Sequence, residues 1–147
     1  MMRFSADLDP RDLEAIRNLK SRYFRCVDGK DWDTLRTLFD DAATFSGLSY
    51  EPSGPDAFVD ECRRFLDGIW TRHMGGMPEF APNGDHRIRA IWSMEDWMDW
   101  APQQRGYRDV ELPGQWGTHG IGYYEDEYVR RERGWLIGHQ DIDAVRD

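Results

Sequence analysis

The sequence predicts an α+β domain in which three helices pack on one face of a curved sheet and enclose a pocket that is open at one end. Three observations support this. Apolar residues recur at helical spacing over roughly the first 70 residues, the apolar period then changes to two, and turn sequences at Asn83-Gly84 and Glu132-Arg133-Gly134 separate the extended segments. Helices followed by long antiparallel strands are typical of this class, and a chain of 147 residues fits one domain, 1–147.

Three helices are expected in the N-terminal half. Asp9-Pro10 has the form of an N-cap followed by proline in the first turn, and an apolar stripe then extends from residue 10 to about 27. The turn residues 28–30 end this helix, and Asp31 caps a short second helix. The second helix carries four apolar residues on one side: Trp32, Leu35, Leu38 and Phe39. A third helix is predicted over 55–70.

The strands are predicted from the short apolar and period-two segments. A short strand at 43–45 precedes the third helix, and residues 71–80 are extended. Between residues 88 and 94 every second residue is apolar, so one face of this strand is buried. Residues 119–131 and 134–143 are predicted to form the final hairpin.

Two segments lie outside these elements. Residues 1–9 are expected to form a loose N-terminal arm. Residues 99–118 contain two prolines and three glycines, and a loop of this length in a small domain is often functional. The loop is therefore a candidate lid over the pocket.

The chain is acidic, which limits its partners. Its 19 Lys plus Arg against 28 Asp plus Glu give a net charge of −9, which argues against binding of nucleic acid or of an anionic membrane surface. No apolar run is long enough to span a membrane, and MMRFSADLDP lacks the apolar segment of a signal peptide. Cys26 and Cys62 are expected to be reduced thiols of a cytoplasmic protein.

Aromatic residues make up 14% of the chain, more than an acidic domain of this size needs for its core. The surplus either lines a cavity for a ring-shaped ligand or fills the core and an oligomer interface. Composition does not separate these interpretations.

Four residues are candidates for acid–base chemistry. Tyr23 and Asp28 lie near the end of the first helix, where the mouth of the pocket is expected, although a core residue and a turn residue would give the same pattern. His73 begins the first long strand and is a side chain suited to proton transfer, although a lone histidine is more often structural. If the alternation of the predicted strand continues, Asp96 lies on the same apolar face as Trp92. A carboxylate on an apolar face needs a partner or a function. If the strand ends before Asp96, the carboxylate is instead in solvent.

An aspartate that accepts a hydrogen bond from one ring nitrogen of a histidine fixes its tautomer and leaves the other nitrogen as a base. We therefore expect Asp28 and His73 to lie within hydrogen-bond reach, although 45 residues separate them.

The sequence contains no motif for a metal or a nucleotide. His86, His119 and His139 form no cluster with metal-ligand spacing, and no glycine-rich phosphate loop is present. The predicted site therefore uses no metal and no cofactor.

The segments together resemble the SnoaL-like domains of the nuclear-transport-factor-2-like superfamily. The resemblance spans about residues 10–142 and is carried by DLEAIRNLKSRYFRCVDGKDWDTLRTLFDDAATF, TRHMGGMPEF, IWSMEDW and GYYEDEYVRRERGWLI. It implies a cone in which three helices pack on the concave face of a bent, mixed or antiparallel sheet around a deep pocket. Within the superfamily the pattern is most similar to the bile-acid and scytalone dehydratases.

In those dehydratases a tyrosine and an aspartate of the first helix, a histidine of the first long strand and a later acid line the pocket. The matching positions are Tyr23, Asp28, His73 and Asp96. The hexachlorocyclohexane dehydrochlorinase of the same superfamily pairs an aspartate and a histidine in the same way. A second pocket histidine of scytalone dehydratase is absent, since Trp97-Met98 occupies its place.

Six further residues are expected to contact the substrate, namely Phe24, Trp92, Met94, Trp97, His119 and Tyr124. Since relatives are often trimers, a homotrimer is also expected.

The resemblance implies a cofactor-independent lyase that acts on a small aromatic or polycyclic molecule by dehydration or retro-aldol cleavage. His73 would be the base, Asp28 would polarise it, Tyr23 would donate a hydrogen bond, and Asp96 would act as a second acid or substrate anchor. Two alternatives stay open. One is an isomerase of the ketosteroid-isomerase kind or a polyketide cyclase, and the other is a non-catalytic module that only binds its ligand.

Overall fold

Three helices and a curved five-stranded sheet make up the fold, as the sequence predicts. The computed structural model describes residues 8–100, 106–107, 110–111, 114 and 116–146. The helices are α1 (Pro10–Asp28), α2 (Trp32–Thr37) and α3 (Pro55–Leu66). The strands are β1 (Phe39–Ser46), β2 (Trp70–Pro82), β3 (Arg87–Asp99), β4 (Gly106–Tyr107), β5 (Val110–Glu111), β6 (Gly117–Arg131) and β7 (Gly134–Arg146).

The main sheet is mixed, with strand order β1-β7-β6-β3-β2. The four long strands are antiparallel neighbours, whereas β1 pairs parallel to β7 at one edge. The turn at Asn83-Gly84 connects β2 to β3, and Gly134, at φ 106°, starts β7 after the turn from β6. Both turns lie where the sequence predicts them.

Helix α1 forms as its capping residues indicate. The Asp9 carboxylate accepts a hydrogen bond from the Arg11 amide, and Pro10 occupies the first turn. The buried stripe of α1 faces the sheet and consists of Ile16, Leu19, Lys20, Tyr23, Phe24, Cys26 and Val27. Asp28 is the last helical residue, so its side chain projects where α1 meets β2.

Two predicted boundaries, the end of the third helix and the start of the first strand, are wrong. The third helix ends at Leu66 rather than at residue 70, because Asp67 is extended and Gly68 has a φ of 77°. The first strand begins at Phe39 rather than at residue 43, because the chain leaves α2 at once and pairs Phe39 with Ile137. A short apolar run such as Leu38-Phe39 fits either helix or strand by its period alone.

Of the two segments predicted to be irregular, residues 1–7 and the positions 101–105, 108–109, 112–113 and 115 lie outside the described residues. The candidate lid contains the short antiparallel pair β4 and β5. Trp100 at its start is buried in the core, and Trp116 near its end is exposed. Whether the segment acts as a lid stays a prediction.

No helix in the described part of the chain is long and apolar enough to cross a membrane. Cys26 is buried, Cys62 is half-buried, and both are free thiols, as the sequence predicts.

Candidate functional site

A cavity of about 270 Å³ lies between α1, α3 and the concave face of the sheet. Its polar wall residues include Tyr23 of α1, His73 of β2, Asp96 of β3 and Tyr124 of β6. The rest of the wall is mainly apolar and comes from the following residues: Val27, Gly47, Leu48, Ser49, Tyr50, Phe58, Cys62, Phe65, Leu66, Met98 and Ile142. A mainly apolar cavity with a few converging polar groups is typical of a small-molecule site.

The predicted contact between Asp28 and His73 is present. The His73 ring nitrogen Nδ1 lies 2.7 Å from Asp28 Oδ1, and the His73 amide donates to Asp28 Oδ2 over 3.0 Å. Thr71, two residues earlier on β2, donates its hydroxyl to Asp28 Oδ1 over 3.0 Å. The end of α1 and the start of β2 are therefore joined by one carboxylate that accepts three hydrogen bonds.

The hydrogen bonds decide the charge of Asp28. Burial alone would raise the pKa of this carboxyl, but the hydrogen bonds and the charge of His73, together with the Thr71 hydroxyl, lower the pKa below its ordinary value of 3.8. A carboxylate whose pKa is lower in the folded state stabilises the fold above the unfolded pKa, and this stabilisation is lost as the pH falls through the folded pKa. Asp28 is thus ionised at neutral pH and holds His73 Nδ1.

The ring of His73 is also oriented by packing. Phe24 stacks on it with the rings 10° from parallel and their centroids 6.3 Å apart. Phe24 reaches this position because Gly75 has no side chain, since a Cβ there would lie 2.6 Å from the Phe24 ring. With Nδ1 held by Asp28, Nε2 has no hydrogen bond to any described residue, and His73 lines the cavity.

Tyr23 lies on the cavity wall and is 3% exposed. Its hydroxyl donates to Gln140 Oε1 over 3.2 Å. Burial raises the pKa of the Tyr23 phenol well above 10, with a further contribution from Tyr124, so the hydroxyl stays protonated. Tyr23 can therefore donate a hydrogen bond but does not supply a phenolate.

Asp96 is 1% exposed and lines the same cavity. It occupies the concave face of β3 together with Met94 and Met98, because the strand continues to Asp99. The alternative in which the strand ends before Asp96 and leaves it in solvent is therefore wrong. Asp96 and His73 are register partners on neighbouring strands, so their side chains enter the cavity side by side.

The six predicted substrate contacts separate into three groups. Tyr124 lines the cavity. Phe24, Trp92 and Met94 are buried on the same side of the sheet but are core residues that do not reach the cavity wall, contrary to the expectation. Trp92 instead donates its indole N–H to the Tyr128 hydroxyl over 3.0 Å.

Trp97 and His119 lie on the opposite face of the sheet, so the expectation that they line the pocket is wrong. Successive side chains of a strand point to opposite faces, and Asp96 takes the concave one. Trp97 stacks on His119 with ring centroids 3.8 Å apart, and His119 Nε2 lies 2.8 Å from a Glu95 carboxylate oxygen. These three residues form a partly exposed cluster on the outer face.

The loop between β1 and α3 contributes wall residues that the sequence reasoning missed. Residues 47–50 line the cavity, and Tyr50 packs near Phe65 with ring centroids 6.1 Å apart. Gly47 has a φ of 74° and lies so close to β7 that a Cβ would meet Asp141 and the Ile142 carbonyl at 2.4 Å. The sequence signal that could have identified this segment was Gly47 with the aromatic Tyr50 three residues later in a predicted loop.

A buried ion pair that the sequence did not predict lies deeper in the core. Lys20 Nζ is 2.7 Å from Asp126 Oδ2, and both side chains are at most 1% exposed. The Tyr128 hydroxyl donates to the same oxygen over 2.6 Å. The Lys20 ammonium also lies 3.6 Å from the ring centroid of Tyr124, which links this pair to the cavity wall.

Among the described residues, no three or more His, Cys, Asp or Glu side chains are grouped so that they could hold a metal ion.

Comparison with known proteins agrees with this architecture. The sequence profile of the SnoaL-like domain matches residues 10–141. A protein from Kribbella flavida is 18% identical, with a TM-score of 0.80 over 93% of each chain. A provisionally assigned scytalone dehydratase from Novosphingobium aromaticivorans is 14% identical, with a TM-score of 0.75 over 93% of this chain and 87% of that one. A type 2 hexachlorocyclohexane dehydrochlorinase is 17% identical, with a TM-score of 0.73 over 93% of this chain and 86% of that one. At these identities the similarity establishes a common fold.

Proposed function

This chain belongs to the SnoaL-like domain family, and we propose that it is a lyase that acts without a cofactor on a small molecule containing an aromatic or fused ring. The observation that carries the proposal is the Asp28–His73 pair, whose histidine lines a cavity shared with Tyr23 and Asp96. Two of the similar structures are named as a dehydratase and a dehydrochlorinase, and both names describe eliminations.

The cavity favours a compact substrate. Its volume of about 270 Å³ is slightly below that of typical ligand pockets, ~300–1,000 Å³. Aromatic side chains on several walls, including Tyr23, Phe58 and Tyr124, suit the faces and edges of a flat ring. A molecule of one or two rings therefore fits this site better than a steroid.

In the proposed reaction His73 Nε2 removes a proton from the carbon next to a substrate carbonyl. Asp28 keeps the other ring proton on Nδ1 and stabilises the imidazolium that forms. The Tyr23 hydroxyl turns its single proton from Gln140 to the oxygen on which negative charge develops. Asp96 donates a proton to the leaving hydroxyl, so the C–H electron pair becomes a double bond and water departs. In a retro-aldol cleavage the same base would take the hydroxyl proton instead.

A panel of ring-containing compounds tests the proposal. One- and two-ring β-hydroxy ketones are incubated with the protein, and products are identified by mass spectrometry beside a His73→Gln control. Loss of one water, or cleavage into two carbonyl fragments, that depends on His73 supports the lyase. A product of unchanged mass would mean an isomerase or cyclase, and calorimetric binding with no product would mean a binding module. Either result contradicts the proposal.

Asp96→Asn is expected to lower turnover at least tenfold while the protein stays folded, because an amide cannot supply the proton that the leaving group takes. The comparison needs initial rates and a thermal melting curve for each variant. Asp99→Asn serves as the control, since Asp99 lies on the same strand and is exposed. Wild-type turnover in a stable Asp96→Asn protein would remove Asp96 from the mechanism.

We also propose that the protein forms a homotrimer through the outer face of the sheet. Five large apolar side chains on this face of β2, β3 and β6 are each 42–57% exposed: Trp70, Met74, Trp97, Ile121 and Tyr123. Register pairs such as Arg72 with Trp97 and Trp97 with His119 place them on one surface. Five exposed large apolar side chains on one face of a sheet are unusual on a monomer.

Sedimentation velocity at micromolar concentration is expected to give three times the chain mass of 17.3 kDa. Ile121→Glu places a charge among these exposed apolar side chains and should shift the protein to monomer. Ala15→Glu, a matched change on the exposed face of α1, should leave the trimer intact. A wild-type particle of 17.3 kDa would refute the assembly.

A further inference from the structure

A lysine at the end of α1 is connected to the Asp28–His73 pair through a threonine. Lys30 Nζ lies 2.9 Å from Thr71 Oγ1, and Thr71 Oγ1 lies 3.0 Å from Asp28 Oδ1. Asp28 Oδ1 in turn lies 2.7 Å from His73 Nδ1. Four side chains from α1, its C-terminal turn and β2 thus form one continuous chain of hydrogen bonds.

The chemistry of the four groups fixes the donor in each hydrogen bond. A lysine ammonium has donors and no acceptor, so Thr71 Oγ1 must accept from Lys30. The single hydroxyl proton of Thr71 is then free to donate to Asp28. An ionised carboxylate only accepts, so the proton between Asp28 and His73 belongs to Nδ1. Hydrogen bonds therefore reach the Asp28 carboxylate from both ends of the chain, from Lys30 through Thr71 and from His73.

The position of Lys30 is specific to the fold. Its φ is 58°, a left-handed conformation that is uncommon for lysine, and its amide donates to the Val27 carbonyl. This turn directs the side chain back toward β2, where Thr71 is 3% exposed.

The ionisable groups that act on the Lys30 ammonium are Asp28 on α1, Asp67 after α3 and Cys62 on α3. His73 itself contacts Asp28 and lies beside Asp96, its register partner on β3. Burial lowers the pKa of Lys30, and the negative charges of Asp28 and Asp67 oppose that change. Asp67 is held in place by the Trp32 indole N–H over 2.9 Å.

We propose that Lys30 is a positioning residue that, through Thr71, orients the Asp28 carboxylate toward His73 and offsets its charge. An unopposed Asp28 carboxylate would favour the imidazolium form, in which Nε2 carries a proton and cannot accept another. The inference depends on the proposed function only in naming His73 as the base.

The test uses the histidine ring signals of the substrate-free protein in a ¹⁵N-detected NMR titration, with His73 assigned from a His73→Gln sample. Lys30→Met and Thr71→Val are expected to move the midpoint of the His73 ring titration to higher pH, by about half a pH unit or more for Lys30→Met. The direction follows because Lys30→Met removes a nearby positive charge and Thr71→Val removes a hydrogen-bond donor to Asp28, and both changes favour the protonated ring.

Three controls separate positioning from general effects. Lys30→Arg and Thr71→Ser keep the donors and should retain the wild-type midpoint. Arg25→Met removes a positive charge from an exposed site on the same helix and should not change the midpoint. A folded Lys30→Met protein with the wild-type midpoint overturns the inference. If Lys30→Met does not fold, the midpoint of Thr71→Val is used instead, and a wild-type value there overturns the inference.

The titration needs no substrate, so its outcome is independent of the compound panel. A shifted midpoint with no turnover of any compound would support the inference and count against the lyase. Turnover of a compound together with an unshifted midpoint would support the lyase and overturn the inference about Lys30.

Discussion

His73→Gln is expected to lower turnover by about 10²–10⁴-fold, the usual contribution of a general base. Glutamine has nearly the same reach as histidine but has no basic nitrogen, so it cannot take the proton that Nε2 would accept. The cavity wall at His73 is otherwise packed against Phe24, and the substitution should leave ligand affinity within a few-fold of wild type. Rates come from the product assay, and affinity comes from calorimetry with a substrate or product.

Asp28→Asn should produce a loss of similar size for a different reason. An amide NH₂ facing His73 Nδ1 would favour the tautomer that carries its proton on Nε2, which is the wrong nitrogen for a base. His86→Gln is the matched control, because His86 lies in the exposed turn between β2 and β3. A His73→Gln protein that keeps a tenth or more of the wild-type rate would exclude His73 as the base.

Lys20→Met is expected to destabilise the fold by about 3–5 kcal/mol, the usual cost of removing one partner of a buried ion pair. The substitution preserves the buried stem but leaves the Asp126 carboxylate with only the Tyr128 hydroxyl as a donor. Asp126 Oδ1 already has no hydrogen bond to any described residue, so no other described donor would compensate. Equilibrium urea unfolding at fixed pH and protein concentration measures the effect.

Asp126→Asn should cost less than Lys20→Met. Burial already lowers the pKa of Lys20, so without Asp126 the amine can become neutral. While it remains charged, it still faces three aromatic rings, of which Tyr124 is closest at 3.6 Å and Tyr23 follows at 4.7 Å. Comparing the free energies of unfolding of Lys20→Met and Asp126→Asn therefore tests how much the aromatic rings stabilise the Lys20 ammonium.

The double variant Lys20→Met/Asp126→Asn should recover much of the lost stability, because neither charge is then left alone and the amide oxygen still accepts from Tyr128. Glu14→Gln breaks the exposed pair with Arg17 on the same helix and should change the free energy of unfolding by less than ~1 kcal/mol. Additive effects of the two core substitutions would mean that the pair does not act as a unit.

Local signals were sufficient for most of the secondary structure. Asp9-Pro10 started α1, Asn83-Gly84 connected β2 to β3, and the period-two run identified β3, because capping, turn geometry and alternation each depend on residues within a few positions of one another. The boundary that failed at Phe39 lies where a short apolar run fits two structures, and the one after Leu66 lies where Asp67 and Gly68 end the helix. Pairing with a strand nearly 100 residues away decided the first of them.

The candidate site could be predicted in part. Tyr23, His73 and Asp96 were found because each is a polar or titratable group in an apolar pattern or at the end of an element, and Tyr124 was found as an aromatic residue of β6. Trp97 and His119 were misplaced because an aromatic residue in a strand suits either an inner wall or an exposed outer face. The alternation that placed Asp96 inside also places Trp97 outside.

By itself, the sequence determined the fold class, the order of the elements and the residues able to carry acid–base chemistry, since these depend on period, capping and residue type. Only the tertiary structure decided that Asp28 contacts His73, that Lys20 pairs with Asp126, and that residues 47–50 close the cavity. Each of these joins groups between 45 and 106 residues apart, or a loop to a sheet. The physical reason is that a buried charge or polar group takes whichever partner the packing of helices on the sheet brings within reach, and no local pattern records that partner.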